Sequence, residues 1–154
     1  MATVDTFTMV REFYLSRNRD LTLSKTTEYA LQILTLIVRE EEEGHFTSAY
    51  IYKKLKVPKK YLQRLLTLLT KKGLIISTRG KFGGYALAKK AQDISLAEII
   101  DAVQGFSDET TCFFGFGRCA LQKPCVMHKV WAESQNHLHD VLASTKLSDL
   151  KTRA

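Results

Sequence analysis

The amino-acid sequence predicts a mainly α-helical chain with one small β-hairpin. Apolar residues recur in several segments at the three- and four-residue spacing of a buried helix face. Two short β-rich runs, residues 74–78 and 85–88, flank a basic turn with three glycines, and such a turn suits a hairpin. The predicted order is helix, short helix, turn, longer helix and hairpin. This is the order of a winged helix-turn-helix, and a long C-terminal helix follows it.

The first two helices are predicted from their N-terminal capping residues. Ser24 is a favourable N-cap for a helix that runs to about residue 40. Thr47 begins a shorter helix that ends at Leu55. Pro58 then suits the first position of the next helix, because the N–H group that proline lacks has no helical partner there. The apolar residues of the first helix are Ala30, Ile33, Leu34, Ile37 and Val38.

The third predicted helix has two chemically different sides. Its buried side carries a leucine stripe at helical spacing, formed by Leu62, Leu65, Leu66 and Leu69. The opposite side is polar and basic, with Lys59, Lys60, Gln63, Arg64, Lys71 and Lys72. Gly73 is expected to end this helix, since glycine readily takes the left-handed conformation of the residue after a C-cap.

Positive charge is concentrated around this helix. The 154 residues include 23 Lys and Arg and 16 Asp and Glu. Residues 44–90 hold 12 of the basic residues and none of the acidic ones. A surface that meets only solvent would intersperse both signs. Nucleic acid explains the segregation better, because each Lys or Arg placed on a phosphate releases condensed counterions.

Seven residues of this segment are candidate DNA contacts. Arg can bind guanine through two hydrogen bonds and Gln can bind adenine, whereas Lys more often contacts phosphates. Basic residues in the hairpin turn, the wing, would enter or flank the minor groove. Tyr61 is equally consistent with a position in the core. The candidates are Lys59, Lys60, Tyr61, Gln63 and Arg64 on the helix and Arg79 and Lys81 on the wing.

The chain after the hairpin predicts two further helices and a short closing one. Ser95 caps a helix over residues 96–103 that Gly105 ends. Residues 125–142 predict one long helix, and residues 144–150 the closing one. The apolar positions of the long helix cover more than one stripe, as they do in a helix that packs both on its own domain and on a partner. A core helix is an equally good interpretation.

Three cysteines, Cys112, Cys119 and Cys125, follow the hairpin domain, and His128 lies one turn after the last of them. Small buried hydrophobic residues are the alternative interpretation of free cysteines. An odd number of cysteines in a reducing compartment suggests metal binding rather than a disulfide framework. Zinc sites more often contain closely spaced cysteine pairs, whereas wide spacing suits an iron–sulfur cluster. The residues alone leave structural zinc open.

Other functional classes find little support in the sequence. The longest apolar stretch, residues 33–38, is too short to span a membrane, and residues 1–20 lack the apolar core of a signal peptide. We therefore expect a cytoplasmic protein. No phosphate-binding glycine loop, nucleophile elbow or paired acid–base motif stands out. His128 could activate Cys125 in a thiol enzyme, but that reading leaves the basic segment unexplained, so we expect no enzyme.

Five sequence stretches carry a family resemblance. The chain resembles the bacterial Rrf2 family of transcription regulators, which includes the IscR, NsrR and RirA types. The likeness extends from residue 23 to about residue 131. The stretches are TTEYALQIL, YLQRLLTLLTKKGLI, STRGKFGGYALAK, ISLAEIIDAVQG and CFFGFGRCALQKPCVMHKVW.

We expect a repressor, and a two-fold dimer of it would suit a pseudopalindromic DNA operator. The resemblance implies that the regulator is a homodimeric winged-helix protein. It implies that the three cysteines hold a 2Fe-2S or 4Fe-4S cluster that senses iron, nitric oxide or redox state. His128 matches the fourth ligand of IscR-type members, and Glu28 matches an alternative acidic ligand that reaches across the dimer in NsrR-type members. The spacing of the first two cysteines is one residue longer than in the IscR pattern, which leaves the cluster type and the signal open.

These observations divide the chain into four segments. Residues 1–20 are an extension without an assigned role, and residues 21–104 are the winged helix-turn-helix domain. Residues 105–125 are a cysteine loop for cluster binding, and residues 126–154 are a dimerisation helix and tail. The third predicted helix is the recognition helix. We expect loss, oxidation or nitrosylation of the cluster to free the loop and shift the long helix, which would change the spacing between the recognition helices of the two copies.

Overall fold

The predicted architecture is confirmed in a computed structural model, which describes residues 23–41, 44–105, 112–114 and 125–151. Within these ranges the chain forms five α-helices, one two-stranded antiparallel sheet and two short 3₁₀ helices. The expectations for residues 1–20 and for Cys119 lie outside the described residues. In chain order the elements are α1 Lys25–Arg39, α2 Ser48–Leu55, α3 Lys59–Lys71, β1 Ile75–Thr78, β2 Gly84–Leu87, 3₁₀ Ala91–Asp93, α4 Leu96–Val103, α5 Val126–Ser144 and 3₁₀ Leu147–Leu150.

The predicted helix caps are confirmed. In each case a hydroxyl oxygen at the N-cap accepts a hydrogen bond from the backbone N–H three residues later, which satisfies a donor that the helix leaves unpaired. The bonds join Ser24 to Thr27 at 3.1 Å, Thr47 to Tyr50 at 3.2 Å and Ser95 to Glu98 at 3.1 Å. At the other end of α3, Gly73 has φ +71° and ends the helix as predicted.

Some predicted boundaries are wrong by a few residues. Pro58 is the N-cap of α3 rather than its first residue, because its ψ of 132° is extended. Leu74 lies outside β1, since its N–H donates to the carbonyl of Leu69 and closes α3. The hairpin pairs Thr78 with Gly84, so β2 begins one residue before the predicted start at residue 85. The closing helix is a 3₁₀ turn over Leu147–Leu150, because α5 continues through residue 144.

The hydrophobic core lies between α1, α3, the hairpin and α4. All four leucines of the α3 stripe are buried, so the predicted inner side is confirmed. Leu147, near the C-terminus, is completely buried in the same core. Its N–H donates to the carbonyl of Ile94 at 2.8 Å, and the N–H of Leu96 donates to Thr145 at 3.0 Å. These bonds hold the C-terminal end of α5 against the start of α4.

The hairpin is seated on the core through Phe46, a residue that sequence reasoning did not single out. Phe46 and Tyr85 exchange two backbone hydrogen bonds, at 2.9 and 2.8 Å. Beside them Gly84 has φ +148°, and a Cβ atom there would lie 2.8 Å from the carbonyl carbon of Phe46. Only glycine allows this close approach. The base of the wing is therefore fixed to the segment between α1 and α2.

None of the α5 residues is buried within the single chain. Val126 is 87% exposed, and Val130 and Val141 are also exposed. A core helix would bury such side chains, so the core interpretation of this helix is wrong for the single chain. Its apolar surface is available to a partner.

Candidate DNA-binding surface and cysteine site

The outer side of α3 presents the predicted basic and amide side chains to solvent. Lys59, Lys60, Gln63 and Arg64 are all exposed. Gln63 and Arg64 line an open groove with Thr67 further along the helix. This helix lacks an N-terminal acidic residue, so its positive dipole end adds to the basic side chains. The surface can therefore meet phosphates and base edges together.

Among the described residues, two basic side chains of the segment are paired with carboxylates from outside it. The ammonium group of Lys54 lies 3.1 Å from the Glu40 carboxylate, and that of Lys89 lies 2.6 Å from Glu98. Both pairs sit away from the outer side of α3. These two lysines are engaged within the fold, whereas the basic residues on the outer side of α3 are exposed to a partner.

Tyr61 packs against the core, so the structure favours the core interpretation over a DNA contact. Its ring meets that of Tyr29 edge to face, with centroids 5.6 Å apart. Its hydroxyl shares a hydrogen bond with the hydroxyl of Thr26 in the first turn of α1. A tyrosine commonly packs its ring against apolar neighbours while its hydroxyl finds a hydrogen-bond partner. The bond joins the start of the recognition helix to the start of α1.

Tyr52 supports the DNA-binding surface from α2, and sequence reasoning missed it. It is 39% exposed, and the Lys59 ammonium lies 5.2 Å from its ring centroid. This cation–π contact limits the positions open to the lysine at the start of α3. The available signal was a tyrosine seven positions before the lysine, which does not reveal a contact between two helices.

The wing carries three exposed side chains at its tip. Arg79 and Lys81 are the predicted basic contacts, and both are exposed. Phe82 was not predicted and is 85% exposed. The Lys81 ammonium lies 5.7 Å from the centroid of the Phe82 ring. The tip therefore combines positive charge with an apolar ring.

Cys112, Cys125 and His128 line one small cavity beside the first turns of α5. Both described cysteines are free thiols and are half-buried. Cys125 is the N-cap of α5, and its carbonyl accepts the N–H of His128 at 3.0 Å. The cavity measures about 10 Å³, roughly the volume that one water molecule needs. Three of the four predicted ligands thus line one cavity, and Cys119 lies outside the described residues.

Aromatic side chains form one wall of the cavity. Phe113 contacts Trp131 edge to face at 5.2 Å and Phe114 at 5.4 Å. Such a wall limits the access of water to the thiols. Trp131 was missed in the sequence, because a tryptophan on a helix is more often a simple packing residue.

The donor chemistry of this cavity fits an iron–sulfur cluster, since thiolates and imidazole are the ligands that such clusters use. In the part of the chain that is described, no three His, Cys, Asp or Glu side chains are close enough to hold a metal ion. Glu28 does not line the cavity, and its carboxylate pairs with the Lys25 ammonium at 2.6 Å. Within the single chain Glu28 is therefore engaged by a lysine of its own helix.

Gln104, the C-cap of α4, joins the end of that helix to α1. Its side-chain oxygen accepts hydrogen bonds from the Ser24 N–H at 2.9 Å and from the Thr27 hydroxyl at 2.7 Å. Thr27 is completely buried. Sequence reasoning placed Gln104 only at the end of α4, because a contact across 77 positions leaves no local signal.

The helical core, the exposed basic side of α3 and the basic wing define a winged helix-turn-helix DNA-binding protein. The chain belongs to the Rrf2 family: residues 23–153 match its family model, described as "Iron-dependent Transcriptional regulator". It is therefore a DNA-binding transcription regulator rather than an enzyme. No helix within the described ranges has both the length and the apolar character of a membrane span.

Relatives of known name and structure agree with this assignment. The transcriptional regulator IscR of Escherichia coli is 32% identical over 128 residues, which cover 83% of this chain and 78% of the relative. The structure of CymR, the global cysteine regulator of B. subtilis, has a TM-score of 0.73 at 25% identity and covers 86% of this chain and 97% of its own. That of T. potens IscR has a TM-score of 0.69 at 27% identity, with coverages of 85% and 86%.

Proposed function

We propose that this regulator is a homodimeric repressor whose operator affinity is controlled by an iron–sulfur cluster. The observation that carries the proposal is the shared cavity of Cys112, Cys125 and His128. Its lining comes from residues 112–114 and from Cys125 with the first turns of the long helix α5. The resemblance to IscR supports the same cofactor.

The proposed ligands are Cys112, Cys119, Cys125 and His128. His128 is preferred to Glu28 as the fourth ligand, because it lines the same cavity as two cysteines. Glu28 is engaged by Lys25 within the single chain. Thiolates are soft ligands that suit iron–sulfur clusters. The rings of Phe113 and Trp131 would limit hydrolysis and oxidation at this site by excluding water.

Cys125 and Gln104, at the two ends of the cysteine loop, would connect the loop to the DNA-binding domain. When bound, the cluster would supply ligand-exchange and redox chemistry that responds to iron, nitric oxide or oxidants. Cys125 caps α5, so a restrained thiol fixes the start of that helix. Gln104 precedes the segment and holds the first turn of α1 through Thr27. A signal can change operator affinity only if it favours one of two conformations over the other.

The proposed dimer uses the exposed side of α5. Val126, Val130 and Val141 are exposed there, and a second copy of the chain would cover them. A two-fold dimer would place two recognition helices about one DNA turn, ~34 Å, apart. Such a pair fits a pseudopalindromic operator.

Purification without oxygen, followed by native mass spectrometry and visible absorption, tests the cofactor and the dimer together. We expect a brown dimer with iron and sulfide, whose mass distinguishes 2Fe-2S from 4Fe-4S. A colourless protein that stays zinc-bound or metal-free after reconstitution would favour the alternative, a winged-helix regulator with structural zinc or no metal. Equal operator affinity of the cluster-loaded and cluster-free forms would show that the cluster is not a switch.

The fourth ligand can be assigned with matched variants. His128→Ala is compared with His137→Ala, which removes a histidine of the same helix that does not line the cavity. We expect the visible spectrum and the cluster lifetime to change only in His128→Ala. A change in Glu28→Gln alone would instead assign Glu28.

A further inference from the structure

Phe82 is a large apolar side chain in an unusual setting. It is 85% exposed at the tip of the wing, between two glycines of the turn and a lysine. Isolated apolar residues on a protein surface are common and need no explanation by themselves. Two further observations distinguish this residue. Its backbone lies in a tight, anchored turn, and its exposed neighbours are basic.

The turn holds the backbone of Phe82 in a defined place. The N–H of Gly83 donates to the carbonyl of Gly80 at 3.0 Å and closes the turn. A Cβ atom at Gly83 would lie 2.2 Å from the Thr78 carbonyl oxygen, so the turn is as tight as its backbone allows. The base of the hairpin is joined to Phe46 by two hydrogen bonds. Phe82 therefore projects from a compact hairpin whose base is anchored in the domain.

The surroundings of the ring select the kind of partner. Arg79 and Lys81 are exposed beside it, and residues 44–90 contain no acidic side chain. The charge complements a polyanion, and the chain is a DNA-binding regulator. Basic wing residues at the minor groove would bring the ring to the edges of stacked bases. Apolar side chains such as Phe can enter there as wedges that partly unstack one base step.

We propose that Phe82 is a specificity-determining residue that inserts into the minor groove and unstacks a flexible pyrimidine–purine step. The chain would then select its operator partly by how easily the DNA deforms, at a position without a hydrogen bond from the protein to a base. Lys81 would release the ring face and move to a phosphate. The inference rests on DNA binding alone and does not depend on the cluster.

The test begins with the full-length protein purified without oxygen, which selects its tightest duplex from a random-sequence DNA pool. Derivatives of that duplex then carry TA, CA or AA, in turn, at each base step where the wing could enter the minor groove. Anisotropy measures affinity, and 2-aminopurine in place of each adenine reports unstacking. We expect the wild type to prefer TA or CA at one step in each half-site and to raise the fluorescence there.

Two variants and one control separate wedging from general loss of apolar surface. Phe82→Ala should lose about tenfold in affinity together with the step preference and the fluorescence rise. Phe82→Leu should keep part of all three, since Leu also serves as a wedge. Ile76→Ala removes another exposed apolar side chain of the same hairpin and should match the wild type. Circular dichroism checks that each variant is folded.

Each other result has a definite meaning. Equal affinity and step preference in Phe82→Ala would overturn the inference while leaving DNA binding intact. Weaker binding that is the same for all steps, without a fluorescence change, would show that the ring packs only on the DNA backbone, which also overturns it. If the wild type selects no duplex, the DNA-binding function fails and the inference fails with it. Duplex affinity unaffected by Phe82→Ala would leave the ring to a protein partner.

Discussion

The phenol of Tyr50 donates a hydrogen bond to the carboxylate of Glu40, and so joins α2 to the end of α1. The Lys54 ammonium approaches the same carboxylate at 3.1 Å. Glu40 is the C-cap of α1, so the contact fixes where the second helix of the DNA-binding motif sits on the first. A pH-sensitive group therefore lies between these two helices.

Acid should weaken this contact. The Tyr50 hydrogen bond, and then Lys54, hold the pKa of Glu40 below its ordinary value of 4.5. Because the pKa is lower in the folded state, the stabilisation is complete above the unfolded-state pKa and is lost as pH falls below about 4.5. Glu40→Gln should thus lose less stability than the wild type between pH 7 and pH ~3.5. Urea unfolding at both values measures this, and equal losses would contradict it. Tyr50→Phe should act in the same direction.

Gln104→Ala should destabilise the domain by about 1 kcal/mol, since the buried Thr27 hydroxyl loses its 2.7 Å acceptor. Urea unfolding of the cluster-free protein measures the effect. Gln32→Ala is the matched control, because Gln32 is an exposed helical glutamine and its loss should change stability little. If both variants have the same midpoint, the Gln104 contact contributes nothing to stability.

Gly84→Ala should displace the wing, because the new Cβ would meet the Phe46 backbone at 2.8 Å. We expect a loss of roughly 2–3 kcal/mol in unfolding free energy and weaker DNA binding. Gly80→Ala provides the comparison, since its φ of +111° is also unfavourable for alanine but nothing lies within 4 Å of the added atom. If the Gly84→Ala protein is as stable as the Gly80→Ala protein, Gly84 does not approach the Phe46 backbone as closely as described.

Arg79→Ala should weaken DNA binding across sequences, because the exposed wing guanidinium is expected at the minor groove and its phosphates. The salt dependence of the binding constant should fall by about one counterion. Fluorescence anisotropy at several salt concentrations measures both quantities. Arg39→Ala removes an arginine outside residues 44–90 and should bind normally. Unchanged affinity of Arg79→Ala would contradict the wing assignment.

The elements that the sequence predicted well are specified by local signals. Helix caps such as Ser24 and Thr47 act within three residues, and the leucine stripe of α3 repeats within one helix. The turn glycines are likewise local, because a positive φ at Gly73 depends on its own backbone. These features need no knowledge of distant partners, so pattern and chemistry were sufficient.

Two of the features that sequence reasoning missed depend on distant contacts. Phe46 pairs with Tyr85 across 39 positions, and Gln104 meets Thr27 across 77. The pattern left Tyr61 undecided, because its packing on Tyr29 is set by how α1 and α3 cross. The choice between His128 and Glu28 as the fourth ligand of the proposed cluster has the same cause. It would depend on which side chains the proposed dimer brings to the cysteines, and spacing along the chain does not determine that.

The two ends of α5 are held very differently. Its C-terminal end is tied to α4 by the backbone bonds of Thr145 and Leu147, whereas its N-terminal end carries Cys125 and has an exposed side. A 19-residue helix is about 28 Å long. Pivoting by about 5° at the tied end would move the cysteine end by about 2 Å over that length. Under the proposed mechanism the helix would thus act as a lever that pivots near residues 94–96, and a displacement at the thiols would reach the DNA-binding domain as a small rotation about that point.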